Sequence, residues 1–254
     1  DKNVPNFFKR KIKKFLKNYK LFTKEYLPNE NLKTLNKANE LIEELIKNRF
    51  NRNDLVLAVG GGIVGDFAGF VASILKRGIN FINVPTTLLA QVDSSIGGKT
   101  GVNSKTGKNL IGSFYQPKLV ISEISFLQSL PKREFICGFG EVLKYALIRD
   151  KNFFKFIKKY SEIILKGQDL KVLTNVVVRS SKNKIYFVIS DEKESGKRMI
   201  LNFGHTFAHG IEAANKFTKK INHGEAVLIG MLLATKLSLV KRLCSKNTII
   251  EIEK

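Results

Sequence analysis

All three histidines of the chain lie within nineteen residues of one another. His205 and His209 are four residues apart, so on a helix they share one face, and His223 follows fourteen residues later. This is the ligand spacing of helical H-E-x-x-H zinc sites, although Thr206 stands where those sites have a catalytic glutamate. A lone histidine is usually a core or surface residue, but this clustering favours a site for Zn²⁺ or a related divalent ion. The spacing leaves open which two or three histidines are ligands.

A glycine turn follows a short apolar run. Gly60, Gly62 and Gly65 match the pattern G-x-G-x-x-G, which after a strand brings backbone N–H groups and a helix N-terminus to a dinucleotide pyrophosphate. The alternative is a tight turn that needs glycine for its dihedral angles. The usual acidic residue about 20 positions further on is missing, since no Asp or Glu lies between Asp66 and Asp93. The strand–helix context favours dinucleotide binding by a variant of the standard arrangement.

Glycine and small hydroxyl residues dominate residues 84–103, and the same character continues to Gly107-Lys108-Asn109. We expect a loop that contributes little to the core. Its lysine and asparagine side chains are suited to phosphate, Lys as a point charge and Asn as a paired donor and acceptor. A flexible surface loop would have a similar composition, so the stretch only suggests phosphate binding.

Apolar periodicity predicts the elements that must position these groups. A βαβ unit is indicated by a buried strand at 54–59, a helix at 65–77 and a strand at 79–84, with a third strand at 119–121. Amphipathic helices are predicted at 7–22, with a basic polar face, and at about 31–48. Beyond Pro131 all strong patterns are helical: 132–148, 152–165, 169–189, 200–217 and 223–242. The chain therefore has an α/β front half and an all-helical back half, with a boundary near Pro131.

Composition limits the possible partners. The net charge of +22 would suit nucleic acid, an anionic membrane or a phosphorylated small molecule. The lysines are spread along the chain, and the phenylalanines fit apolar helix faces rather than the stacking rows of a nucleic-acid binder. No secretory leader pattern is evident, and the apolar runs are shorter than a membrane span. Cys137 and Cys244 show no metal-type spacing and fit a reducing cytoplasm. We expect a cytoplasmic protein that binds neither nucleic acid nor a membrane.

Together these stretches resemble the 3-dehydroquinate synthase family. Six pieces occur in the family's order between about residues 30 and 231: GGGIVGDFAGF, RGINFINVPTTLLAQVDSSIGGKTGVN, GKNLIGSFYQP, PKREFICGFGEVLKYALI, DEKESGKRMILNFGHTFAHGIEA and HGEAVLIGM. The resemblance implies a Rossmann-like NAD-binding domain at 1–131 and an all-α metal- and substrate-binding domain at 132–254, with the active site in the cleft between them. It implies conversion of 3-deoxy-D-arabino-heptulosonate 7-phosphate to 3-dehydroquinate and phosphate in the shikimate pathway, through transient oxidation by NAD, phosphate elimination, re-reduction and aldol closure.

The resemblance also implies site residues. It assigns Zn²⁺ or Co²⁺ to Glu141, His205 and His223, and makes His209 a catalytic or orienting group beside the metal. Further active-site residues implied are Asp93, Lys99, Asn109, Lys144, Lys184, Arg198 and Asn202. Arg77 corresponds to an arginine that reaches the phosphate of the neighbouring subunit's substrate, which implies a homodimer. The residues implied for NAD are Glu30, Lys33, Gly60, Gly61, Gly62, Ile63, Val64, Gly65, Asp66, Thr86, Thr87, Lys99, Lys108, Phe126, Leu127, Gln128 and Ser129.

The chain also departs from the family pattern. Family members continue beyond the HGE helix, whereas this sequence ends at Lys254 without a counterpart of a phosphate-binding lysine, and the usual first strands are not evident in residues 1–28. Ala208 stands where glycine is common, and Gly140 where alanine is common. Two alternatives share much of the pattern: other sugar-phosphate cyclases, and metal-dependent polyol or alcohol dehydrogenases. The dehydrogenases would lack the 93–109 stretch and would stop after hydride transfer.

Overall fold

Two compact units, Asp1–Phe126 and Leu127–Lys254, make up the structure, a computed structural model that describes residues 1–215 and 220–253. The first unit contains a parallel sheet, and the second is built from helices. The predicted fold class, a Rossmann-like parallel-sheet part followed by a helical part, is confirmed. Pro131, where the sequence places the change, lies a few residues inside the second unit.

A three-stranded parallel sheet forms the centre of the first unit, in the order β1–β2–β5. Its strands are β1 (Leu55–Gly60), β2 (Asn80–Pro85) and β5 (Leu119–Val120). The register places Gly60 opposite Pro85, so the carboxyl ends of β1 and β2 lie side by side. Helix α3 (Gly62–Ile74) begins directly after β1. The glycine turn and the segment after β2 therefore meet at one edge of the sheet.

Both faces of this sheet are covered, as the apolar strands predict. On one face, Leu57 and Val84 pack with Phe8 of helix α1 (Asn6–Phe15) and with Phe126. On the other, Phe81 packs with α3 and with helix α2 (Leu35–Lys47). Successive strand residues point to opposite faces, which is why consecutive apolar residues serve two separate cores.

The polar stretch is more ordered than predicted. Ala90–Ser94 forms a short π-helix, and strand β3 (Lys99–Val102) pairs antiparallel with strand β4 (Ile111–Phe114). Leu88, Val92 and Val102 are completely buried. The prediction of a loop with little core was wrong, because these three apolar side chains point inwards and four-residue strands are too short to show a clear alternation.

The helix predicted at 7–22 is shorter in the structure. It ends at Phe15, which is 82% exposed, and Tyr19 lies beyond it, 71% exposed. The chain then follows an irregular path on which Phe22 packs edge-on against Phe50 and Tyr26 against Phe67. These tertiary contacts outweigh the local helical pattern.

The second unit consists of six helices among the residues that the structure describes. They are α4 (Lys132–Arg149), α5 (Lys151–Lys166), α6 (Leu170–Ser190), α7 (His205–Ala214), α8 (His223–Val240) and α9 (Lys246–Glu253). The predicted helix at 200–217 is broken, since a 3-10 turn at Lys197–Asn202 precedes α7 and Gly204 between them has a positive φ of 81°. The end of that predicted helix lies outside the described residues, and α9 was not predicted.

Helix α8 is, within the described ranges, the one helix long and apolar enough by length and composition to cross a membrane. The apolar runs of the sequence were expected to be shorter than a membrane span. The helix carries Glu225 and Lys236, and it buries Ala226, Val227 and Met231 in a cluster to which α7 and α4 also contribute. The core helix of a soluble protein meets the same criteria.

Candidate functional site

Three helices of the second unit bring Glu141, His205 and His223 together. One possible ligand atom from each side chain lies within 4.8 Å of the others. The Nε2 atoms of His205 and His223 are 3.7 Å and 3.9 Å from the same carboxylate oxygen, Oε1 of Glu141. Glu141 is on α4, while His205 and His223 are the first residues of α7 and α8. The cluster thus combines two nitrogens with one carboxylate oxygen.

Glycines allow these helices to approach so closely. Gly140 precedes Glu141 on α4, and Gly224 follows His223 on α8. A Cβ on Gly140 would lie 2.8 Å from the Gly224 carbonyl oxygen. A Cβ on Gly224 would overlap the backbone of Cys137. Helices α4 and α8 therefore touch backbone to backbone at the point where both donate a side chain to the cluster. The small residues place Glu141 and His223 side by side.

A second glycine pair positions His205. Gly204 adopts a left-handed conformation, which glycine accepts at no steric cost, and ends the preceding turn so that α7 begins at His205. A Cβ on Gly204 would lie 2.7 Å from the backbone nitrogen of Met231, and a Cβ on Gly230 would overlap the Gly204 carbonyl oxygen. The start of α7 is therefore packed directly on the middle of α8.

We predict that Gly224→Ala lowers the free energy of unfolding by about 1–3 kcal/mol, because the new methyl group must force α4 and α8 apart. The matched control is Gly210→Ala on α7, where an added Cβ meets nothing within 4 Å. That change should be neutral or stabilise by up to about 1 kcal/mol, since alanine favours a helix more than glycine does. Urea unfolding of both variants measures the difference, and equal stabilities would contradict the close crossing.

The Glu141 carboxylate is suited to a cation. The residue is 1% exposed, and its Oε1 accepts no hydrogen bond from residues 1–215 or 220–253. Its Oε2 forms an ion pair with Lys144, one turn further along α4. A buried acceptor without a hydrogen bond is costly, and a metal ion between Oε1 and the two imidazoles would remove that cost. Two nitrogens and one carboxylate form a typical donor set for Zn²⁺ or Co²⁺.

Burial also favours metal binding by His205. It lowers the pKa of His205, because desolvation disfavours the imidazolium, and the charge of Lys144 lowers it further; the nearby Glu141 acts in the opposite direction. A lowered pKa keeps the ring neutral near pH 7, and only a neutral imidazole can offer a lone pair to a metal.

The glycine turn of the first unit packs on the segment that follows β2. The backbone N–H of Thr86 donates to the Gly60 carbonyl oxygen at 3.0 Å, and a Cβ on Gly61 would lie 3.1 Å from the side chain of Thr87. A Cβ on Gly62 would lie 2.8 Å from Oγ of Ser94. Ile63 and Val64 occupy the first turn of α3, where the N–H groups of Val64 and Gly65 donate to the Gly61 carbonyl oxygen. The predicted glycine residues thus form one rigid corner at a helix N-terminus.

Five predicted residues lie together beside this corner. The Lys33 ammonium, which is 4% exposed, donates to Asp66 at 2.7 Å and to Oδ1 of Asn109 at 2.5 Å. Glu30 pairs with Lys108 at 3.2 Å. Asn109, expected to contact substrate, therefore lies among residues expected to contact NAD.

Asn103 forms hydrogen bonds with three of these residues, and the sequence did not lead us to predict this role. Its side-chain amide donates to Glu30 at 2.8 Å, its Oδ1 accepts from the backbone N–H of Asn109 at 3.0 Å, and its own N–H donates to the Lys33 carbonyl oxygen at 2.8 Å. Asn109 is held with a positive φ of 57°. An asparagine that ends the short segment Thr100–Asn103 and faces a second glycine–lysine turn was the available signal.

Two models of the 3-dehydroquinate synthase family together match residues 25–254 of the chain. The N-terminal model matches residues 25–137 and the C-terminal model residues 138–254. A curated 3-dehydroquinate synthase from Pelagibacter ubique is 50% identical over 247 residues, which is 97% of this chain and 67% of that protein. The chain belongs to the 3-dehydroquinate synthase family.

Other relatives agree with this assignment. The 3-dehydroquinate synthase of Campylobacter fetus subsp. fetus is 50% identical over 88% of this chain and 63% of its own length. That of Nitrobacter winogradskyi is 53% identical over 77% of this chain and 51% of its own length. The chain thus spans about half to two thirds of the length of these curated relatives.

Solved structures of sugar-phosphate cyclases have the same fold. A 2-deoxy-scyllo-inosose synthase complexed with carbaglucose-6-phosphate, NAD⁺ and Co²⁺ matches with a TM-score of 0.89 and 30% identity, covering 99% of this chain and 68% of that one. A 2-epi-5-epi-valiolone synthase from Streptomyces hygroscopicus with NAD⁺ and Zn²⁺ bound matches with a TM-score of 0.88 and 26% identity, covering 99% and 71%. A glycerol dehydrogenase from Schizosaccharomyces pombe, at 19% identity and a TM-score of 0.70, shares the fold alone.

His209 lies next to the cluster of Glu141, His205 and His223 without joining it. Its ring is 5.7 Å from the ring of His205, between centroids, and its side chain is exposed. The group of possible ligand atoms found among the described residues is Glu141, His205 and His223. Helical spacing alone could not separate His209 from His205, because residues four apart always share a face.

A turn rich in acidic residues holds two further predicted residues. Arg198 is buried and donates to the Glu192 carbonyl oxygen at 2.5 Å, while Asn202 donates to Glu194 at 3.0 Å. Glu194 also lies 3.6 Å from the Arg198 guanidinium. The backbone N–H groups of Arg198, Ser195 and Gly196 donate to the Asp191 carboxylate. These hydrogen bonds, that of Arg198 most of all, lower the pKa of Asp191 to about 2. The acidic residues position Arg198 and Asn202, and sequence reasoning did not assign them a role.

The remaining predicted residues differ in exposure. Lys184 is buried on α6. Lys99 is exposed at the start of β3, and Asp93 is half-buried in the π-helix. The side chains of Phe126 and Leu127 lie in the cores of the first and second units, which leaves Gln128 and Ser129 as the exposed side chains of that predicted segment.

Proposed function

We propose that this chain converts 3-deoxy-D-arabino-heptulosonate 7-phosphate to 3-dehydroquinate and phosphate, a carbon–oxygen lyase reaction that depends on NAD and a divalent metal. The carrying observation is the buried Glu141 carboxylate, with one oxygen facing two imidazoles and the other paired with Lys144. Family membership supports the substrate, and the cofactors named with the two solved cyclases support NAD and Zn²⁺ or Co²⁺.

Glu141, His205 and His223 would hold the metal. When bound, the metal would lower the pKa of the substrate hydroxyl, and NAD would take up and return the hydride within one cycle. Three protein ligands leave a position open for substrate oxygens. Lys144 pairs with the second oxygen of Glu141, which leaves Oε1 directed at the two imidazoles.

The cationic residues would bind the two anionic ends of the substrate. Arg198 is buried and held by Glu192, so its guanidinium is pre-organised for a carboxylate or phosphate. These contacts would be completed by Lys99, Lys184 and Asn202. The Asp93 carboxylate, which repels anions, would instead accept a hydrogen bond from a substrate hydroxyl. His209, exposed beside His205, would hold or move a proton on the bound substrate.

NAD would lie at the glycine corner of the first unit. Residues Gly60–Asp66 form the end of β1 and the start of α3, and backbone N–H groups of this helix N-terminus would face the pyrophosphate. Thr86, Thr87, Lys99, Lys108, Glu30, Lys33 and the 126–129 segment would contact the rest of the cofactor. Lys33 is already bound to Asp66 and Asn109, so cofactor contacts and Asn109 would be coupled through one ammonium.

A homodimer is part of the proposal. Arg77 is exposed at a turn where it has a left-handed φ of 67°. This strained backbone directs a cation away from its own core, as expected of a residue that serves the neighbouring subunit's substrate. The protein is expected to act in the cytoplasm, without binding nucleic acid or a membrane.

The test is a phosphate-release assay with the heptulosonate phosphate, NAD and added zinc. We predict phosphate release over many turnovers of the chain without net accumulation of NADH, because the ketone formed first is reduced again. A metal-dependent polyol or alcohol dehydrogenase would instead accumulate NADH and release no phosphate. Glucose 6-phosphate, offered in parallel, distinguishes other cyclases: turnover of that substrate alone would contradict the proposal.

A further inference from the structure

A carboxylate outside the metal cluster contacts one of its histidines. Oε1 of Glu212, on α7, lies 3.3 Å from Nδ1 of His223. The opposite ring nitrogen of His223, Nε2, faces Oε1 of Glu141 at 3.9 Å. One imidazole thus lies between two carboxylates, and each carboxylate faces a different nitrogen.

The other histidine has the same arrangement with a different acceptor. Nδ1 of His205 lies 3.4 Å from the Phe203 carbonyl oxygen, while its Nε2 faces Glu141. In both rings an oxygen is placed beside Nδ1, and Nε2 points to the shared carboxylate. A neutral imidazole protonated on Nδ1 donates to that oxygen and keeps the Nε2 lone pair for a metal.

Helix geometry explains why Glu212 reaches this position. It is seven residues after His205, about two turns along the same face of α7, and α7 packs on α8 through Gly204 and Gly230. The helix that provides one ligand therefore also carries the group that contacts the other. Glu212 is only half-buried, so the packing of the core does not depend on its carboxylate.

We propose that Glu212 is a positioning residue for the metal: it holds His223 in the Nδ1–H tautomer and fixes the direction of its Nε2 lone pair. This inference rests on the proposed metal site. Without Glu212, the His223 ring can rotate and exchange tautomers, and binding must then select one arrangement among several. Partners of this kind typically contribute about 10- to 100-fold in metal affinity.

The experiment measures zinc affinity of the whole chain by competition with a chromophoric chelator, without substrate or NAD. We expect Glu212→Ala to weaken zinc binding by about 10- to 100-fold. Glu212→Gln should lie between this variant and the wild type, because its amide oxygen can still accept from Nδ1–H. With Co²⁺, the visible absorption bands of Glu212→Ala should also shift as the ligand field changes.

A charge-matched control is Glu253→Ala, which also removes one carboxylate of the second unit but pairs with Lys236 on the surface. It should bind zinc like the wild type. If Glu212→Ala binds zinc as tightly as this control while His223→Ala loses zinc, the positioning role is overturned and the metal site stands. If the wild type itself binds no stoichiometric zinc or cobalt, the metal site and the role of Glu212 are both overturned.

Discussion

His205→Ala is expected to purify without the stoichiometric zinc of the wild type. His205 and His223 face the same oxygen of Glu141, so removing one ring leaves one nitrogen and one carboxylate. Two protein ligands do not make a stable zinc site, in which three or four are usual. The loss should also abolish phosphate release, since the proposed oxidation step requires the metal.

The measurement is metal content per chain after dialysis, by atomic emission, together with the chelator competition described for Glu212. The fold should survive, because His205 is only partly buried and is the first residue of α7 rather than part of a core cluster. Circular dichroism checks this point. Zinc retained at one per chain in a folded His205→Ala protein would show that the ligand set is wrong.

Local patterns predicted the elements of this chain well, but only some of the site. The clustered histidines indicated a metal because all three lie within nineteen residues and two of them, His205 and His209, are one helical turn apart. Glu141 lies 64 residues before His205, and spacing carries no information about such distant partners. The family resemblance suggested it, and the structure shows the reason in the glycine contacts of α4 and α7 with α8.

In the first unit too, the sequence predicted some elements and missed others. The parallel strands and the glycine turn follow from runs of apolar residues that are buried on both faces. The hairpin of β3 and β4 was missed, because Gly101 and Gly112 lie opposite each other and leave no side-chain alternation to detect. The hydrogen bonds of Asn103 were also missed, since its partner Glu30 lies 73 residues away along the chain, and spacing carries no information about such distant partners.

The contact between Glu212 and Nδ1 of His223 is another feature that local sequence patterns do not predict. Glu212 reads in the sequence as an ordinary polar position of an amphipathic helix. Only the packing of α7 on α8 brings it to Nδ1 of His223. A residue that orients a metal-ligating side chain is harder to predict from sequence than the ligating residue itself, because its partner lies on another element.

The role of His209 decides between the two interpretations of the histidine cluster. The 5.7 Å separation of its ring from that of His205, and its exposure, fit a residue that faces bound substrate. We therefore expect His209→Ala to retain its zinc and to bind NAD normally, but to lose turnover by about 10²- to 10⁴-fold, the usual contribution of a positioned acid–base group.

A second variant separates proton transfer from hydrogen bonding at this position. His209→Gln keeps a hydrogen-bonding side chain of similar reach but cannot carry a proton, so its turnover should remain as low as that of His209→Ala. Recovery of turnover in the glutamine variant would assign His209 to orientation alone. Zinc loss in His209→Ala as large as that in His205→Ala would instead make His209 a ligand, and the three-ligand site of Glu141, His205 and His223 would have to be redrawn.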